Sequence, residues 1–150
     1  MTKILNMDSN TLFDLTSAIA ACAWALMIFT PRWKYTQRAI QTIAIPGVLS
    51  VFYLGIVITH FSTGLPDFSS LREIRVLFSN DYMLLAGWIH YLSFDLVIGS
   101  WILTKSQAQG FSHWLVAPVL LLTFMMGPVG LLAFFILYYL KIREWPLITN

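Results

Sequence analysis

The sequence predicts an all-α membrane protein: a four-helix transmembrane bundle forming one domain, residues 1–150, with a short interfacial amphipathic helix between the second and third helices. Three observations carry this. The chain is 58% hydrophobic, only 11% charged, and has a mean hydropathy of +0.74, which is too apolar for an ordinary soluble domain. Four apolar runs, near 12–30, 40–60, 82–103 and 114–140, each have about the length that crosses a hydrocarbon core of about 30 Å at 1.5 Å per residue. The links between them are short, so one compact bundle is expected, with no room for a separate soluble domain or a nucleotide-binding loop.

The first run carries Ser17, Ala21 and Ala25 at steps of four, a row of small residues by which membrane helices pack closely. Asp14 is expected in its first turn, where a carboxylate complements the helix dipole. It reads either as a boundary charge or as a second acid at the mouth of a ligand cavity. Residues 31–38, with Arg32, Trp33, Lys34, Tyr35 and Arg38, read as a basic, aromatic anchoring loop at the membrane surface. The second run has Pro46-Gly47 in its first half and should bend there; His60 ends it and reads as interfacial. Ser70 and Glu73 then have capping-box spacing, and Leu71, Ile74, Leu77 and Phe78 follow with helical periodicity. This is the interfacial helix, either a simple link or a lid over a lateral opening.

The third run holds the stretch Gly87-Trp-Ile-His-Tyr-Leu-Ser-Phe-Asp-Leu-Val-Ile-Gly-Ser-Trp101, with His90 and Asp95 near its middle. An ionisable group at that depth costs at least about 2.5 kcal/mol, so it is expected to face protein or water and to have a function. At about 100° per residue, His90, Trp101, Phe94, Gly87, Ile98, Tyr91 and Asp95 fall within one arc of about 140°, a polar-aromatic face. The opposite side, Leu85, Ile89, Leu92 and Leu96, is expected to meet lipid. Ala86, Ser93 and Ser100 form a small-residue seam between the two. His90 and Asp95 are five apart, at the edges of their face, so each needs a partner from elsewhere or a ligand lying between them.

A polar turn with Gly110 leads to His113-Trp114, where His113 is expected to be wet. In the fourth run, Thr123 precedes Gly127, Pro128 and Gly130. Pro128 has no N–H to donate, so a kink is expected near the bilayer centre. That kink either serves packing alone or widens a cavity lined by Thr123, Gly127 and Pro128. Tyr138, Tyr139 and Trp145 mark the far interface. With four spans both ends of the chain share a side, and the cations then nearly tie: Lys3, Arg72, Arg75, Lys141 and Arg143 against Arg32, Lys34, Arg38 and Lys105. The density of charge in residues 31–38 favours that loop being cytoplasmic.

The stretches Leu84–Ile102, His113-Trp114 and Leu120-Leu-Leu-Thr-Phe-Met-Met-Gly-Pro-Val-Gly-Leu-Leu132 resemble the abscisic-acid-deficient-four-like membrane proteins. Their plant members are plastid proteins required to form neoxanthin from violaxanthin. The resemblance covers about 71–138 and departs from the family pattern at Ser93, where alanine is frequent, and at Ser100, where a basic residue is usual. It implies a lipophilic partner, a carotenoid or related isoprenoid, and a cofactor-independent isomerisation of an epoxide to an allenic alcohol. That step needs an acid at the epoxide oxygen and a base at the adjacent polyene carbon. His90 and Asp95 are the candidates, in either order. Tyr91 would orient either, and Trp88, Phe94 and Trp101 would line the slot, open to lipid or shared between two copies of the chain.

Other classes are less well served. The net charge of +2, without a basic run interleaved with aromatics, gives no footprint for nucleic acid. The single cysteine, Cys22, leaves no intrachain disulfide, and no His/Cys cluster has metal-ligand spacing. A bis-histidine haem would need a second histidine at the depth of His90, whereas His60 and His113 end their runs. A structural or regulatory bundle, in which His90 and Asp95 merely bond other helices, is the main alternative. Asp8 and Asp14 stand where an organelle-targeting peptide would be basic. No cleavable targeting peptide is therefore expected, and the chain reads as a multi-pass protein of a bacterial-type inner or photosynthetic membrane.

Overall fold

In a computed structural model, residues 8–41, 44–60 and 68–143 are described, and they form seven helices with no strand among them. These are α1 (Ser9–Phe29), α2 (Lys34–Gln41), α3 (Ala44–His60), α4 (Leu71–Leu77), α5 (Asp81–Ala108), α6 (His113–Met125) and α7 (Gly127–Ile142). Two of them, α1 with 21 residues and α5 with 28, are long and apolar enough to cross a membrane; α3, α6 and α7 are apolar but shorter. Lys3, Trp145 and positions 42–43 of the second expected run lie outside the described residues.

The chain divides into two compact units, Met1–Ala21 with Ile45–Phe94, and Cys22–Ala44 with Asp95–Asn150. Both α1 and α5 run through the division.

In the first unit, the start of α1 runs parallel to the start of α5. Ser9, Asn10 and Phe13 share a small cavity with Asp81, Leu84 and Trp88. Asn80 starts α5 by accepting, through Oδ1, the backbone N–H groups of Tyr82 and Met83 at 3.0 and 3.2 Å. Helix α3 runs antiparallel to α5: His60 stacks on Tyr82 at 3.8 Å, and Ser93 donates to the Pro46 carbonyl at 3.1 Å. Pro46 is the third residue of α3, in the first turn, where a missing N–H costs nothing; it opens the helix rather than bending it. Ser70 Oγ accepts the Glu73 N–H at 3.3 Å and caps α4, as the capping-box spacing predicts. Phe78 just beyond α4 then fits against Gly87, where a Cβ would lie 2.8 Å from the Phe78 ring.

In the second unit, the basic stretch expected as a loop contains α2, whose hydrophilic residues 34–41 wind up as a short helix. Helix α5 continues five residues beyond the expected end at Leu103, to Ala108. Thr104 and Ser106 do not stop it, because their hydroxyls donate back to the carbonyls of Ser100 and Leu103, both at 2.8 Å. A positive φ of 65° at Gly110 then turns the chain.

Residues 114–140 depart most from expectation. They are not one kinked helix but two that fold back on each other. Met126, at φ −147° and ψ 65°, leaves the helical region, and Pro128 occupies the first turn of α7. Gly130 closes the reversal, since a Cβ there would overlap the backbone of Thr123. At the open end Phe111 stacks on Tyr138 at 5.7 Å, and Lys141 Nζ donates to the Gly110 carbonyl at 3.0 Å. Helix α7 therefore ends where α6 begins. Alongside α5 it runs parallel, with Asp95 beside Gly127 and Trp101 beside Phe134.

Candidate functional site

Helix α5 sorts its side chains by size and shape. In the first unit Leu85, Ala86, Ile89, Leu92 and Ser93 are all buried. Ala86 and Ser93 keep the seam role read from the sequence, and Ser93 meets Ser50 Oγ at 3.3 Å. The leucine side, expected to meet lipid, is the packing side instead. Leucine is as apolar as a lipid tail, so hydropathy alone does not tell the two surroundings apart. A similar shift occurs in α1: Ala21 and Ala25 are exposed, and the buried row is Leu12, Thr16, Ala20, Ala23, Trp24 and Met27.

The aromatic side of α5 faces outward. His90 is exposed, with its ring 4.6 Å from Phe94 and 5.9 Å from Tyr53 of α3. Phe94 itself is 62% exposed. Beside them Trp88, half-covered, donates from Nε1 to Ser17 Oγ at 3.0 Å and stands between Phe13 and Tyr91 at 5.5 and 5.6 Å. Trp88, Tyr91, Phe94 and His90 thus form one strip, anchored on one side by α1 and on the other by α3. Among the described residues His90 makes ring contacts only, which leaves both nitrogens of its imidazole for a ligand. Asp14, the expected second acid, is exposed and lies in the second turn of α1, because the helix begins earlier, at Ser9.

The other expected site residues have different neighbours. Asp95 is half-buried in the second unit, and a Cβ on Gly127 would lie 3.0 Å from its Cγ. Gly127 is the first residue of α7, so the carboxylate stands at the positive end of that helix dipole. Thr123 is fully buried and donates to the Val119 carbonyl at 2.8 Å. Pro128 is exposed at the tip of the reversal. Trp101 packs edge-on against Phe134 and Phe135 at 5.4 and 6.2 Å, as part of an aromatic core with Phe111 and Tyr138. Trp101, Thr123, Gly127 and Pro128 all belong to the second unit.

One constellation was not expected. In the second unit a cavity of about 440 Å³ is lined by Arg32, Gln37, Gln107, Ser112 and His113 above Leu103, Phe111 and Val116. His113, expected to be wet, is half-buried and hydrogen-bonded through Nε2 to the Ile28 carbonyl at 2.7 Å. Nothing in the spacing of two glutamines 70 residues apart announces their meeting. Among the described residues no group of three or more His, Cys, Asp or Glu side chains is placed to hold a metal ion.

No curated protein and no solved structure matches the chain. A family profile described as ABA DEFICIENT 4-like matches residues 11–134, which include the whole outward strip of α5 and the turn between α6 and α7. The chain belongs to the ABA DEFICIENT 4-like family.

Proposed function

We propose that the protein is membrane-embedded and binds a carotenoid or related isoprenoid along the Trp88–Tyr91–His90–Phe94 strip of α5. The observation that carries this is the outward imidazole of His90, ten residues into a 28-residue apolar helix. In a bilayer such a group costs energy unless a polar partner meets it. Flanking aromatic rings offer flat apolar surface to a polyene, and the imidazole offers a hydrogen bond to an oxygen on its end ring. Family membership supports the carotenoid class. The extent of outward apolar surface, including Phe29, Ile58, Trp114 and Met125, each at least 70% exposed, supports the bilayer.

The membrane arrangement that fits these helices is three crossings by α1, α3 and α5, followed by a re-entrant hairpin of α6 and α7. With 13 residues α6 reaches only about 20 Å, short of a full crossing, and α7 returns to the side from which α6 entered. Lys141 and Arg143 then join Arg32, Lys34, Arg38 and Lys105 at one end, which favours that end being cytoplasmic.

In the catalytic form of this reading the substrate is an epoxide of the xanthophyll kind. A proton goes to the epoxide oxygen, the ring C–O bond breaks, and a proton leaves the adjacent polyene carbon, so the product is an isomer and no redox partner is consumed. His90 is the proposed proton-transfer group on this strip. Incubating the protein in liposomes with a carotenoid epoxide and separating the products by chromatography tests turnover. An allenic isomer formed by wild type and lost in His90→Ala is expected; no conversion by wild type would reduce the reading to binding alone.

A further inference from the structure

We infer that the cavity beneath Arg32 is a binding site for a phosphate-bearing headgroup, and that its natural source is an anionic membrane lipid. Three features of the second unit lead there. The first is charge: its described residues hold six lysines and arginines and one acid, Asp95, which lies against Gly127. Among the described residues this end is strongly basic, which favours an anionic ligand. The second is a built polar rim. Gln37 Nε2 donates to Gln107 Oε1 at 2.9 Å and to the Pro31 carbonyl, and Gln107 Nε2 donates to the same carbonyl at 3.1 Å. These bonds fix the 31–37 turn onto α5 and hold the Arg32 backbone at the rim. They also leave one Gln107 amide hydrogen, and the Ser112 hydroxyl, as donors on the same cavity lining as Arg32, a combination suited to phosphate oxygens.

The third feature is the floor. Leu103, Phe111 and Val116 are each at most 5% exposed, and they present an apolar base below the donors. A headgroup above and the start of an acyl or prenyl chain below match that order; a soluble anion would use only the rim. Trp33 and Tyr35, exposed beside Arg32, are the aromatic residues that favour the headgroup level of a bilayer. The inference rests on the membrane placement proposed above but is independent of what the His90 strip binds.

The test is native mass spectrometry of detergent-purified protein offered phosphatidylglycerol and phosphatidylcholine together, for wild type, Arg32→Gln and Lys34→Gln. Lys34 lies on the same turn but does not line the cavity. Wild type should retain the anionic lipid in preference. Arg32→Gln should lower that preference about fivefold, the equivalent of one cation near a charged surface, while Lys34→Gln leaves it unchanged. Millimolar inorganic phosphate should not displace the lipid; displacement would overturn the lipid as the source in favour of a soluble phosphate ester. No preference in wild type, or equal losses in both variants, would overturn the site. A chain that stays monodisperse without detergent would instead overturn the membrane placement.

Discussion

Gly127 shows how much one absent side chain decides. Asp95 occupies the space where a Cβ would stand, and in return its charge faces the first turn of α7. A carboxylate there contributes typically 0.3–1 kcal/mol, and up to about 2 kcal/mol when partly buried. Gly127→Ala should therefore destabilise the protein by about 1–3 kcal/mol through overpacking. Adding Asp95→Ala should recover part of that loss, a non-additivity measurable in a double-mutant cycle of thermal melts in detergent. Additive losses would separate the two residues. The sequence marks both positions as unusual, an acid in an apolar run and a glycine before a proline. It does not pair them, because the 31 intervening residues leave the register of α5 on α7 undetermined.

At the scale of elements, period and caps were legible and reversals were not. The long apolar run of α5 and the Ser70 cap of α4 stand in the sequence and in the fold alike. Gly127, Pro128 and Gly130 announce a break, but only the backbone angles at Met126 turn a kink into a hairpin. That difference has a consequence for topology. With a kinked fourth span both ends of the chain share a side; with a re-entrant hairpin they do not. Single cysteines placed at Asn10, Lys34 and Arg143, in a Cys22→Ser background, should divide when labelled from one side by an impermeant maleimide. Lys34→Cys and Arg143→Cys should label together and Asn10→Cys from the opposite side. Labelling of Asn10→Cys with Arg143→Cys would restore the four-span bundle.

For the whole molecule, the strip with His90 belongs to the first unit, whereas Asp95 belongs to the second and lies against the start of α7. Composition alone identified helices and an apolar environment. The face of α5 that packs was not legible, since lipid and protein are alike to a leucine; what decides it is the fit of Ser93 against α3 and of Trp88 against α1. The most direct test is solvent extraction and mass spectrometry of the isoprenoids and pigments retained by protein purified from a carotenoid-producing host, wild type beside His90→Ala and Asp95→Asn. Wild type should retain a carotenoid or isoprenoid, His90→Ala should lose it at unchanged melting temperature, and Asp95→Asn should melt at a lower temperature. Identical lipid content in all three, with stability alone affected, would contradict a ligand site at His90 and leave a structural bundle.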